Sequence, residues 1–267
     1  SSIGLLEAKS IHLAASAFQS AFADRARYLW DADFTHVPVK ELISKDYARK
    51  RRSEFDDSRA RPSGKVKAGD IPVSEHTETT NLSIMDDAGN VVSTTQTING
   101  YMGASVVVPH TGIVLNNEMD DFSAKAGASN LFGAIGGDAN SIAPRKTPLS
   151  SMSPTIVMKG EQPIMSVGAP GGTRIITCVA QTILNYLEFK LPLYESIASI
   201  RYHHQWLPDQ LDIDPPGPKK EVLEALKKQG HNIQLKAVPC NVMAVTQEGD
   251  TFHAMSDPRD IGTSTAL

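Results

Sequence analysis

A layered α+β fold is expected for this 267-residue chain on three observations. Apolar residues recur at three- and four-residue spacing in separated stretches, β-rich runs come in pairs around turn residues, and neither an internal repeat nor regular βαβ alternation is present. In residues 6–30, Ile11, Ala15, Phe18, Phe22, Ala26 and Leu29 fall on one face of a long amphipathic helix. A second helix is expected over residues 39–52, its closing run Arg49-Lys50-Arg51-Arg52 being a solvated end that complements the helix dipole. Residues 56–78 are rich in Ser, Arg, Pro, Gly, Lys and Asp and read as an exposed, mobile connection. Leu82, Ile84 and Met85 then lead through Asp86-Asp87-Ala88-Gly89-Asn90 into residues 91–98, a β-hairpin. Residues 155–159 and 163–167 around Gly160-Glu161 form a second hairpin, and residues 105–108, 112–115 and 241–247 read as short strands. Behind Gly171-Gly172, residues 173–189 carry Ile175, Ile176, Val179, Ala180, Ile183, Leu184 and Leu187 at helical spacing, and a last helix is expected over 218–229.

Composition narrows the functional classes. With 40% hydrophobic and 21% charged residues the chain folds, and its length is read as a single domain over 1–267, built from a segment 1–78 and a segment 79–267. The net charge of −4 supplies no field for nucleic acid or an anionic membrane. No apolar run approaches the roughly 20 residues of a membrane span. Cys178 and Cys240 permit one disulfide and show no metal spacing, while the adjacent His203 and His204 lack a third ligand, so neither metal nor cofactor is expected. The HExxH, GxSxG, P-loop and dinucleotide motifs are absent.

The informative position is Thr79, where the polar connection meets a strand in Glu75-His76-Thr77-Glu78-Thr79-Thr80-Asn81. By residue type, Thr-Thr at a strand start is ordinary β-propensity. The same junction is also what a self-processing N-terminal nucleophile requires: the hydroxyl attacks its own preceding carbonyl, and hydrolysis frees an α-amine that serves as its base.

Downstream, Asn116-Asn117-Glu118-Met119-Asp120-Asp121-Phe122, Gly136-Gly137-Asp138-Ala139-Asn140, Pro148-Leu149-Ser150-Ser151-Met152-Ser153-Pro154-Thr155, Gly168-Ala169-Pro170-Gly171-Gly172-Thr173-Arg174, Arg201-Tyr202-His203-His204-Gln205-Trp206 and Ser256-Asp257-Pro258-Arg259 occur in order. With these motifs the chain from Thr79 onward resembles the γ-glutamyltranspeptidase family, and Phe22-Ala23-Asp24-Arg25-Ala26 resembles the end of that family's large subunit. The resemblance implies the four-layer αββα sandwich of N-terminal nucleophile hydrolases. It also implies self-cleavage between Glu78 and Thr79 into a heterodimer, a glutathione-type γ-glutamyl donor, an amino acid or peptide acceptor, and a periplasmic or secreted location, although no signal segment is visible.

Position by position, Thr79 matches the nucleophile and Thr97 the threonine that orients it. Gly171 and Gly172 match the oxyanion pair, in accord with the unpaired N–H groups of a helix start. Asn99, Glu118 and Asp121 match acceptors for the substrate ammonium, and Ser150 and Ser151 match donors to its α-carboxylate. Unsupported, the acidic turn and the serine pair are ordinary loop chemistry. Residues 125–133 resemble the family's lid loop, with Phe132 replacing a common tyrosine, and Asn81 replaces a common histidine. The family also clamps the α-carboxylate with an arginine from several hundred residues that precede the region matched by 1–78, and no position here corresponds to it. The alternatives are a cephalosporin (glutaryl) acylase-like amidohydrolase, or a catalytically incomplete fragment lacking the N-terminal half.

Overall fold

A computed structural model describes residues 3–34, 36–66, 79–123 and 137–265. The first helix, α1 (Ala8–Tyr28), buries the expected stripe of Ile11, Ala15, Phe18, Phe22 and Ala26. The single helix expected over 39–52 is instead two, α2 (Val39–Leu42) and α3 (Lys45–Ser53). Ser44 separates them: its backbone is extended, and its Oγ accepts the Tyr47 N–H at 3.1 Å, so the cap that starts α3 interrupts the preceding turn.

In the described part of the connection, residues 56–59, 62, 64 and 65 are exposed as expected, but Ser63 and Val66 are buried and docked. Ser63 donates through its N–H (2.9 Å) and Oγ (2.8 Å) to the Asp209 carboxylate, and Trp206 Nε1 donates to the carbonyls of Ser63 and Val66. Polarity read as exposure fails at Ser63, whose polar groups are satisfied by Trp206 and Asp209 from a distant part of the chain.

Strands β1 (Thr79–Met85) and β2 (Val91–Thr97) pair antiparallel as one hairpin. At its turn Asp86 accepts from the backbone and side-chain nitrogens of Asn90, and Gly89 takes φ 81°. Strands β3 (Thr155–Lys159) and β4 (Gln162–Gly168) form the second hairpin. Next come α4 (Arg174–Leu187), α5 (Leu193–Ala198), β5 (Tyr202–His203), β6 (Leu211–Ile213), α6 (Lys220–Lys228), β7 (Ile233–Leu235), β8 (Met243–Glu248) and β9 (Thr251–Ser256). The main sheet has the order β3-β4-β8-β9, and a small sheet has the order β5-β6-β7. Residues 105–108 and 112–115 are not strands. They share the single bridge Val107↔Val114, and positive φ at Met102, Ser105 and His110 breaks the extended run.

The first hairpin and the main sheet stack. Ser166 Oγ donates to the Val92 carbonyl (2.8 Å), Ser93 Oγ to Val167 (3.0 Å) and Ser83 Oγ to Met243 (3.2 Å). Alternation sends Met165 and Val167 to the other face of the main sheet, where they pack with Ile175, Cys178 and Val179 of α4 and Leu193 and Ile197 of α5. Helices over sheet over sheet give the α+β sandwich, and the outer face of the β1–β2 hairpin carries exposed Leu82, Ile84 and Val92. A second cluster joins Ile11, Ala15 and Phe18 of α1 to Tyr202, Leu211, Ile213 and Leu226, and a third joins Phe22, Ala23 and Ala26 to Val66 and Trp206. Segments on both sides of Thr79 therefore share core. Cys178 on α4 and Cys240 form a disulfide. Among the described residues no helix is long and apolar enough to cross a membrane.

Candidate active site

The register of the first hairpin places Thr79 directly opposite Thr97. Opposed residues of an antiparallel pair share a face, and period-two alternation puts Thr79 on the side of Asn81 and Ser83, which faces the main sheet. The two hydroxyls lie 3.2 Å apart. Thr97 Oγ1 also accepts the Asn99 N–H at 2.8 Å. Asn99 is buried in a left-handed conformation, φ 73°, and its side-chain amide donates to the Asn117 carbonyl. Asn117 in turn accepts from the Gly100 N–H and donates to Asp120. A strand end and an acidic turn are thus stitched together beside the threonine pair.

The acidic turn, Glu118–Asp121, is a short 3₁₀ helix, and it brings two carboxylates into the same cleft. Burial pushes the Asp121 carboxyl up to about 7, and the neighbouring Glu118 pushes the same way while Arg25 opposes it. Burial also raises Glu118 above the usual carboxylate range. Two neighbouring desolvated acids resist joint ionisation, a condition that an incoming ammonium relieves.

Ser150 and Ser151 line the same cleft. Asn140 joins the two segments: its amide donates to the Asp121 carbonyl (2.8 Å), its Oδ1 accepts from the Leu149 N–H (3.0 Å), and its backbone carbonyl accepts from the Ser123 N–H (2.9 Å). Ser151 Oγ accepts a hydrogen bond from Arg25 Nη2 at 3.0 Å.

The third wall is the start of α4. Gly171 and Gly172 have φ 140° and 55°, and their carbonyls accept from Arg174 and Ile175, so the pair forms the entry turn of the helix. N–H groups at such an entry have no intrahelical partner and present partial positive charge to an anion. A Cβ at Gly171 would lie 2.7 Å from the Pro239 carbonyl and 2.9 Å from Cys240 Cβ, so this close approach requires glycine.

Thr79, Thr97, Asn99, Glu118, Asp121, Ser150, Ser151 and Gly172 therefore line one cleft, with Gly171 beside it. Glu78, Phe132 and the loop 125–133 lie outside the described residues. Sequence reasoning did not place Met152 and Ile175, which add apolar lining, or Arg25 and Asn140, which hold the lining from behind. Asn140 stands within the ordered motifs and Arg25 within the matched stretch 22–26, but their polar contacts span 19 and 126 residues, and spacing gives no sign of either. His203 lies away from this cleft, with its ring nitrogens engaged by Thr177 and Gln205.

Comparison with known proteins points to one family. The family model described as Gamma-glutamyltranspeptidase matches residues 1–267. The glutathione hydrolase proenzyme of Escherichia coli is 40% identical over 265 residues, covering 98% of this chain and 45% of that protein. The Pseudomonas aeruginosa glutathione hydrolase proenzyme is 42% identical over 263 residues, covering 97% and 46%. This chain thus spans about half the length of the curated relatives it matches. Among solved structures, a Helicobacter pylori gamma-glutamyltranspeptidase mutant superposes with a TM-score of 0.66 at 44% identity, over 68% of this chain and 100% of that one. A Bacillus halodurans cephalosporin acylase, at 24% identity and a TM-score of 0.79 over 97% of this chain and 45% of its own, shares the fold.

Proposed function

Because the chain belongs to the γ-glutamyltranspeptidase family, we propose that it is a γ-glutamyl transferase and hydrolase that cuts itself before Thr79. The observation that carries this reading is the Thr79–Thr97 hydroxyl pair at 3.2 Å, set in a cleft that is also lined by the acids Glu118 and Asp121 and the hydroxyls of Ser150 and Ser151.

After self-cleavage the free α-amine of Thr79 takes the proton of Thr79 Oγ1 as the oxygen attacks the γ-carbonyl carbon of the donor. Thr97 holds the attacking oxygen in place. The carbonyl oxygen becomes an oxyanion, for which the N–H groups of Gly171 and Gly172 are the donors. Collapse breaks the amide C–N bond, and the α-amine returns the proton to the departing nitrogen. The resulting γ-glutamyl ester on Thr79 is then resolved by water, giving hydrolysis, or by the amine of an amino acid or peptide, giving transfer. Asn99, Glu118 and Asp121 accept from the donor's ammonium, and Ser150 and Ser151 donate to its α-carboxylate. Glutathione presents both groups. The processed form is a heterodimer in the periplasm or outside the cell.

Intact mass under denaturing conditions tests the first step: two fragments meeting between Glu78 and Thr79 are expected, and a chain that stays uncut for days argues against it. Turnover of γ-glutamyl-p-nitroanilide against glutaryl-p-nitroanilide tests the second, since only the former brings an ammonium to Glu118 and Asp121. Excess turnover of the glutaryl compound would favour an acylase. The chain's half-length match favours one further reading, a core that needs an N-terminal half to act. Assays with and without such a half separate the two.

The raised Asp121 carboxyl gives a pH prediction. Below about 7 Asp121 is protonated and loses its charge for the ammonium, so binding weakens as pH falls and is complete above that value. The α-amine of Thr79 titrates in the same direction but acts equally on both donors. The ratio of kcat/KM for γ-glutamyl over glutaryl anilide is therefore expected to fall by up to about tenfold per pH unit below 7. A ratio that is flat between about pH 5.5 and 8, a window spanning that titration, contradicts this assignment of Asp121.

A further inference from the structure

Arg25 has no role in the steps above, yet it is built into the site. It stands near the end of α1, is only 7% exposed, and donates to Ser151 Oγ at 3.0 Å. Among the described residues no carboxylate comes within ion-pair distance of it. Burial lowers its guanidinium only to about 10, the charge of Asp121 opposing the fall, so it remains charged at neutral pH. A buried cation without a direct counter-ion is costly unless the site uses it.

The direction of its bond to Ser151 carries the argument. Guanidinium has donors and no acceptor, so Ser151 Oγ must accept. A serine hydroxyl is otherwise a rotor able to accept or donate. With a lone pair committed to Arg25, its one proton is turned away from the cation, and Ser151 lines the cleft. The cleft then combines a donor-only, cation-backed hydroxyl at Ser151 with the acids Glu118 and Asp121, the two chemistries that an α-amino acid head group needs.

We propose that Arg25 is a positioning residue that holds Ser151 as a hydrogen-bond donor and so selects acyl donors bearing an α-carboxylate. This rests on the γ-glutamyl reading of the cleft. It also gives the segment before the cleavage point a direct part in specificity: α1 supplies the cation, and Asp31 just beyond it accepts from the Thr147 N–H (2.8 Å) and Oγ1 (2.9 Å), holding the strand of chain that leads to Ser150 and Ser151.

Two anilides separate this role from a structural one: γ-glutamyl-p-nitroanilide, and 4-aminobutyryl-p-nitroanilide, which keeps the ammonium and lacks the α-carboxylate. Both are assayed on the full chain, alone and with an N-terminal half of the kind its relatives carry. Arg25→Gln is expected to lower kcat/KM for the γ-glutamyl donor about tenfold or more, mainly through KM, and to change the aminobutyryl value less than about threefold. Arg25→Lys, still a donor only, is expected to recover part of the loss. In a Ser151→Ala background Arg25→Gln is expected to add little, because both substitutions remove one interaction.

Equal losses on both donors, no loss on either, or full additivity with Ser151→Ala overturns the proposal. If Arg25→Gln fails to fold, as judged by its thermal midpoint and self-cleavage, the ratio of the two donors for Arg25→Lys and Ser151→Ala decides: unchanged ratios in both overturn it. A wild-type chain that cuts itself but turns over neither donor in either preparation defeats the γ-glutamyl reading itself, a result distinct from any pattern among the variants.

Discussion

Thr79→Ala is expected to give a chain that stays in one piece and releases no p-nitroaniline from γ-glutamyl-p-nitroanilide, a loss on the order of 10⁴-fold or more. The hydroxyl has two duties in the proposed chemistry, attacking its own preceding carbonyl and then attacking the donor, and alanine removes both. Thr79→Ser keeps the oxygen and should retain cleavage and turnover, which distinguishes lost chemistry from lost structure. The fold itself should tolerate alanine, since Thr79 opens β1 and, among the described residues, its side chain hydrogen-bonds Thr97 at 3.2 Å. Thr97→Val removes that bond while keeping the shape of the side chain, and about a tenfold drop is expected from one lost hydrogen bond to the nucleophile. Intact mass and anilide turnover measure all three. Undiminished cleavage and turnover in Thr79→Ala would sink the assignment of the nucleophile.

Gly171→Ala is expected to have the second largest effect, through backbone geometry. Gly171 has φ 140°, a conformation that L side chains rarely adopt, and a Cβ there would meet the Pro239 carbonyl at 2.7 Å and the Cβ and Cα of Cys240 at 2.9 and 3.0 Å. These neighbours cannot easily withdraw, because Cys240 is tied to Cys178 on α4, the helix that Gly171 introduces. Left-handed strain and overpacking each cost about 1–3 kcal/mol. Relief by moving the Gly171–Gly172 turn would displace the N–H donors proposed for the oxyanion, and loss of one such donor lowers kcat by about 10²–10³-fold. The variant should therefore melt earlier and turn over slowly, with KM changed less than kcat. A variant with wild-type melting and wild-type kcat would show that this turn neither resists a side chain nor contacts the reacting oxygen.

Local sequence carried a large part of this result. The apolar spacing of α1 and α4 marks each helix because one face of a helix repeats every three to four residues whatever it packs against. The first hairpin is equally local: Asp86, Gly89 and Asn90 close the turn by contacts within a single short stretch. Once the turn is placed, pairing Met85 with Val91 counts back to Thr79 opposite Thr97. The threonine pair was thus legible in the chain, and the ordered motifs supplied the chemical meaning proposed for it.

Other features depended on contacts distant in sequence. Ser44 divides a stretch that composition alone reads as one helix, and positive φ values break the runs around Val107 and Val114, where Val106, Val107 and Ile113 stay exposed and no core face enforces a strand. Residues 56–66 look like linker because their own side chains are polar, yet Trp206 and Asp209 supply what the polar groups of Ser63 need. Arg25 looks like one more helix arginine until the fold brings it to Ser151, 126 residues away. Periodicity and turn chemistry act over a few residues and survive in the bare sequence. The direction of a buried charge and the partner of a polar backbone group are set by which distant segments meet, and only the packed sandwich, with α1 laid against the cleft, decides them.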